Sequence, residues 1–149
     1  MSVQPIPDGF HTVTPYFVVD GAPKLMEFMT KALGGEELER HGRPDGKVMH
    51  AQVRIGDSIV MLADASPEYP ALKMAMYLYV KDCDALYRRA VAAGAKSLME
   101  PANMFYGDRN AGVEDAFGNK WWFGTHVEDV SPAEIERRAA AQPQQKPKS

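Results

Sequence analysis

An internal repeat constrains this chain more than any single motif does. Tyr16-Phe17-Val18-Val19-Asp20 precedes a helix-like run, and Leu78-Tyr79-Val80-Lys81-Asp82 does the same, with the two aspartates 62 positions apart. The same offset of 62 separates Gly56 from Gly118, and each glycine sits in the turn of a strand–turn–strand run. A period of this length marks one supersecondary unit used twice, because a single unit cannot bury its apolar face alone. The unit reads strand, helix, three strands. An α+β fold of two tandem βαβββ modules is therefore expected.

The first module is expected over about 12–63. It opens with a strand from Thr12 to Val19, apolar on both faces. A helix follows, with Pro23 near its start and Leu25, Phe28, Met29, Ala32 and Leu33 at spacings of three and four, until Gly34-Gly35 stops it. Strands near 36–41, 47–55 and 58–63 complete the module. Residues 64–73, with Pro67 and Pro70, read as a linker. The second module, about 74–126, repeats the pattern: Met74 to Val80, a helix from about Cys83 to Ala93 capped by Asp82 or Asp84, a strand from Ala95 to Met99 and a loop from Glu100 to Arg109. Its closing hairpin joins Asn110–Asp115 to Lys120–Thr125, through a Phe117-Gly118-Asn119 turn that leads into the strand-prone Trp121-Trp122-Phe123. The C-terminal part, 131–149, begins with the capping box Ser131-Pro132-Ala133-Glu134, so a helix is expected from Pro132 to about Ala141. The polar tail from Gln142 to Ser149 is expected to be disordered.

Composition narrows the partners. Seventeen basic and 20 acidic residues give a net charge of −3, which is no electrostatic footprint for nucleic acid or an anionic membrane. Neither is expected as a partner. The single Cys83 excludes an intrachain disulfide and a cysteine-based zinc cluster and suits a reducing compartment, so a cytoplasmic location is expected. The first ten residues lack the apolar core of a signal peptide, and no run reaches membrane-spanning length.

Three stretches then carry a family resemblance: Phe105-Tyr106-Gly107-Asp108-Arg109, Asp115-Ala116-Phe117-Gly118-Asn119 and Thr125-His126-Val127-Glu128-Asp129. With the paired modules and an aspartate before each helix, they make about 12–130 resemble the vicinal oxygen chelate superfamily, which includes glyoxalase I, extradiol dioxygenases and bleomycin-resistance proteins. The similarity is greatest to its PhnB-like and bleomycin-resistance-like branch. Ala116 departs from the proline usual in that turn. The resemblance implies a curved mixed sheet around a concave cavity with the helices outside. It also implies four metal-ligand positions, which fall on Val13, Met61, Ala75 and Trp122. None carries the carboxylate or imidazole that a divalent ion needs, so neither a metal nor another cofactor is expected.

Strand alternation within that frame sends Phe17, Met61, Tyr77, Tyr79 and Trp122 toward the cavity, and turns Tyr16, Val18, Met76, Leu78, Val80, Trp121 and Phe123 toward the helices. Val48, His50, Gln52 and Arg54 are expected on the cavity side, opposite Met49, Ala51, Val53 and Ile55. Glu114 is expected to point inward, with Tyr106 and Arg109 closing the mouth. Such an aromatic trough suits a small, partly aromatic organic ligand fixed by a few hydrogen bonds. His50 is the tempting acid–base catalyst; the plainer reading is a hydrogen-bonded strand histidine. Arg109 reads either as an anion binder or as a loop ion pair with Asp108. His11, His41 and His126, at element ends, read as surface or structural residues. Cys83 has no recognisable base beside it.

Two function classes follow. One is a metal-independent binding protein that sequesters its ligand. The alternative is an enzyme of lyase, isomerase or dioxygenase type, using His50 and Glu114 or a relocated metal. Large apolar groups on each module's open face favour pairing of modules within a chain or between chains, and a ten-residue linker with two prolines is long enough to reach a neighbour; the resemblance implies a homodimer in which modules of different chains complete each cavity.

Overall fold

The computed structural model describes residues 3–143, so most of the tail expected to be disordered lies outside the described residues. Both modules are present. Module one comprises β1 (Tyr16–Val19), α1 (Ala22–Leu33), β2 (Glu36–Gly42), β3 (Val48–Ile55) and β4 (Ser58–Asp64). Module two comprises β5 (Ala75–Tyr79), α2 (Cys83–Ala92), β6 (Lys96–Asn103), β7 (Asp108–Glu114) and β8 (Lys120–His126), and α3 (Pro132–Ala140) follows it. Each module forms a four-stranded mixed sheet with the same order, β1-β4-β3-β2 and β5-β8-β7-β6. The parallel pairs are β1 with β4 and β5 with β8; the rest are antiparallel.

Capping of the helices differs between the copies. Gly21 precedes α1 and has no side chain to offer, so Asp64 at the end of β4 accepts the Gly21 and Ala22 amides, both at 2.8 Å. The same carboxylate takes the Val48 amide at 2.7 Å, which joins helix, β3 and β4 at one buried point. In α2 the helix's own Asp82 accepts from the Ala85 amide at 3.1 Å. Ser131 does the same for α3 at Glu134, at 3.2 Å.

Both helices cover one side of their sheets and leave the other side open. Leu25, Met26 and Met29 of α1 pack with Phe17, Ala51, Val53 and Leu62 in one core that continues into Val113, Trp121 and Phe123 of module two. The modules therefore join through their helix-covered sides, with α1 against α2. Phe17 stacks on Trp121 at 5.4 Å between ring centroids, and Phe28 lies at 6.1 Å from it.

Several expectations are corrected here. Phe17 is fully buried in the core, while Tyr16 is exposed on the open face. The register explains this, since Phe17 pairs with Leu62 and Tyr16 with Met61; β1 is apolar on both faces, so alternation alone had no basis for choosing. Val48 is buried and Met49 exposed, the reverse of the expected order. A register shift between His41 and Gly42 leaves Met49 without a partner, and the bulge reverses the alternation at that end of β3. The first strand starts at Tyr16 rather than Thr12. Finally, β6 runs through Pro101 to Asn103 where a loop was expected. An edge strand tolerates the missing amide, and the pairing is irregular there.

Candidate functional site: an aromatic platform on module two

On the open face of module two, neighbouring strands set side chains in rows. Tyr77, Trp122 and Gly112 share one row, Tyr79, Gly124 and Asn110 the next, and His126 stands beside Asp108 beyond them. The two glycines let the aromatic rings lie down. A Cβ at Gly112 would overlap the six-membered ring of Trp122, and one at Gly124 would overlap the ring and hydroxyl of Tyr77. Each ring thus sits over a strand glycine, with Tyr77 exposed and Trp122 half-buried, which makes an apolar platform.

A buried carboxylate anchors one end of it. Asp108 is only 4% exposed and accepts from the Tyr77 hydroxyl at 2.8 Å, the Tyr79 hydroxyl at 2.9 Å and His126 Nδ1 at 2.9 Å. Asn110 bridges the Tyr77 and Tyr106 hydroxyls. On its far side, His126 Nε2 meets Asp129 at 2.7 Å. Burial opposes ionisation of Asp108, but the hydrogen bonds from His126, Tyr77 and Tyr79 outweigh it and hold the carboxyl below its usual range. Burial, reinforced by this carboxylate, raises the Tyr77 phenol, and the bond to Asp108 raises that of Tyr79. Both hydroxyls thus stay protonated donors at neutral pH. Tyr79, Tyr106, Asp108 and His126, with Val130 and, from α3, Ile135, line a cavity of about 520 Å³, within the range of ligand sites.

The Asp108 bond and, second, the Asp129 bond raise the pKa of His126 above 6.5. Donating to both carboxylates requires both ring protons, so the clasp belongs to the imidazolium. Its stabilisation is complete below the unfolded value near 6.5 and is lost as pH rises through the higher folded value. Because the ring is half exposed, the effect is modest. Thermal midpoints measured between about pH 6 and 9 are expected to fall less steeply in His126→Asn than in the natural chain. Identical slopes would contradict the clasp.

The residues singled out in the sequence separate into two groups. Tyr77, Tyr79, Tyr106 and Trp122 come together on module two, with Glu114 on the same face between Lys96 and Lys120. His50, Gln52 and Met61 gather on module one: Gln52 pairs with Met61, and His50 Nδ1 lies 3.4 Å from the Tyr16 hydroxyl. There the chain's own N-terminal segment leans over the face, and Pro5, Ile6, Phe10, Gln52 and Met61 line a cavity of about 360 Å³. His50 and Glu114 stand on separate sheets and do not converge within one chain.

Arg109 belongs to neither group. It points to the helix side and grips Asp84 of α2 through Nε–Oδ1 at 2.7 Å and Nη2–Oδ2 at 2.9 Å, and its guanidinium holds the Asp84 carboxyl down at about 2. The expected pairing with Asp108 fails because adjacent strand residues face opposite ways. Cys83 is buried, its thiol donates to the Arg109 carbonyl at 3.3 Å, and burial raises its pKa.

Asp108, Asn110 and His126 are the site residues that sequence reading missed. Carrying the Glu114 alternation back along β7 to Asp108 would have found the first two, but that requires knowing that the strand starts at Asp108.

The four positions that the resemblance implies for a metal, Val13, Met61, Ala75 and Trp122, carry no carboxylate or imidazole donor, and Val13 is 83% exposed ahead of β1. Among the described residues, no group of three or more His, Cys, Asp or Glu is arranged to hold an ion.

Comparison with known proteins agrees with this architecture. The family model for the glyoxalase/bleomycin resistance protein/dioxygenase superfamily matches residues 9–123. An uncharacterised protein of Mycobacterium bovis is 35% identical over 141 residues, covering 87% of this chain and 93% of its own. Among solved structures, the PhnB protein of Bacillus cereus superposes with a TM-score of 0.63 at 15% identity, covering 77% of this chain and 99% of that one. TnmS3, an antibiotic binding protein from Streptomyces sp. CB03234, gives 0.61 at 23% identity over 78% and 98%. Identities this low establish a shared fold alone.

Proposed function

Because the chain belongs to the glyoxalase/bleomycin resistance protein/dioxygenase superfamily, we propose that it is a metal-independent binding protein that sequesters a small, partly aromatic organic molecule. The observation that carries this reading is the pair of rings, Trp122 and Tyr77, that occupy the space left by Gly112 and Gly124. Flat rings on a rigid strand backbone lose little freedom when a planar ligand stacks on them, and the row of phenol hydroxyls and Asn110 supplies the few polar contacts that orient it. A fold shared with an antibiotic binding protein supports the same class of ligand by analogy.

A flat platform in one chain needs a cover. In this reading two copies associate, and the module-one face of each, with Tyr16, His50, Gln52 and Met61, closes over the platform of the other. A reducing compartment such as the cytoplasm suits the buried free thiol of Cys83. Among the described residues no helix is long and apolar enough to cross a membrane.

Titration of the chelator-treated protein with 9-anthracenemethanol, followed by tryptophan fluorescence, is expected to show saturable quenching at one site per chain. The recovered compound should be unchanged by mass spectrometry. Absence of saturable binding would contradict the platform, and conversion of the compound would place the protein among the enzymes. Sedimentation of the same sample is expected at twice the 16.5 kDa chain mass; a strict monomer would contradict the shared trough.

A further inference from the structure

We propose that the ligand carries a positively charged amine, held where Tyr77, Tyr79 and Tyr106 meet beside Asp108, while its planar part lies over Trp122. This rests on the binding reading above and adds the charge of the ligand to it.

Three observations lead there. First, the tyrosine rings form a corner. Tyr77 and Tyr79 stand 5.0 Å apart between centroids with their planes at 57°; Tyr106 lines the same cavity as Tyr79 and is linked to Tyr77 through Asn110. An angled pair of aromatic walls is half of the cage that recognises ammonium groups. Second, the hydroxyls of Tyr77 and Tyr79 both donate to Asp108. A phenol that donates to a carboxylate carries more electron density in its ring, which strengthens attraction for a cation and weakens it for an anion.

Third, the charges at this end leave no welcome for a negative group. Among the described residues, the one cationic group in the cavity wall, His126, is already shared between Asp108 and Asp129. Arg109, the residue that the sequence offered for an anion, is turned to the helix side and bound to Asp84. Two lysines paired into the open face, Lys96 and Lys120, flank Glu114. That row lies four residues along β7 from Asn110, roughly 13 Å away at strand rise. The face is thus polarised, with aromatic rings and carboxylates at the Asp108 end.

Three anthracenes that differ only in the 9-substituent test this: the aminomethyl compound (cationic at neutral pH), the neutral methanol and the anionic carboxylate. The amine is expected to bind about tenfold more tightly than the alcohol, and the carboxylate least tightly. Tyr79 is 68% exposed, so its variants keep the fold. Tyr79→Leu should reduce the preference for the amine to within about threefold, whereas Tyr79→Phe, which keeps the ring, should retain most of it. Equal binding of the three compounds, tighter binding of the carboxylate, or an undiminished preference in Tyr79→Leu would overturn the proposal and leave the platform standing. Failure of all three to bind would overturn the platform and this inference together.

Discussion

Trp121→Ala is expected to destabilise the protein by about 3–5 kcal/mol, a large share of the roughly 5–15 kcal/mol that stabilises an ordinary domain. The indole is 0% exposed, stacks on Phe17 and lies beside Phe28, so it forms the join between the two modules. Its Nε1–H donates to Asp115 at 2.8 Å. That carboxylate also takes the Phe117 amide at 2.8 Å and the Asn119 amide and side chain, both at 3.0 Å. Alanine would therefore leave Asp115 still served, and most of the cost would come from the cavity opened between the modules. Urea unfolding followed by circular dichroism measures it. A loss below about 1.5 kcal/mol would mean that the join is not where the core is concentrated.

The next residue along the strand should behave in the opposite way. Trp122→Ala is expected to change stability by less than about 1 kcal/mol, because the ring lies on the surface of the sheet, yet to weaken binding of 9-anthracenemethanol by more than about tenfold. Gly112→Val gives the same answer by another route. Its side chain would occupy the space of the Trp122 ring and lift it off the strand, while valine itself suits a strand. Calorimetric titration of both variants, with thermal unfolding as the control for folding, separates the effects. Retention of natural affinity in either variant would remove Trp122 from the site.

This contrast shows what could and could not be read from the sequence. The repeat at Asp20/Asp82 and Gly56/Gly118 disclosed both modules and their order of elements, because turn glycines and the aspartate ahead of each helix are local signals. Alternation placed Trp121 inside and Trp122 outside correctly, since β8 has a strong hairpin turn to fix its register. It failed in β1, where every residue is apolar or aromatic, and at Met49, where a bulge reverses the faces. The Asp108 centre was hidden for a different reason. Tyr77, Tyr79, Asp108 and His126 come from three strands, and only the pairing of β5 with β8 and β8 with β7 brings them together. Nothing in the spacing of a buried aspartate distinguishes it from a loop residue. Arg109 was misread because its partner, Asp84, lies on α2, 25 positions earlier in the chain.

The central proposal is that an aromatic platform, rather than a metal, holds the ligand in this member of the superfamily. Isothermal titration of Zn²⁺, Ni²⁺, Mn²⁺ and Fe²⁺ into chelator-treated protein, before and after saturation with 9-anthracenemethanol, tests it most directly. No stoichiometric metal uptake is expected, and the organic probe should bind with the same affinity whether or not an ion is supplied. One tightly held ion per chain, or binding of the probe only when a metal is present, would contradict the account.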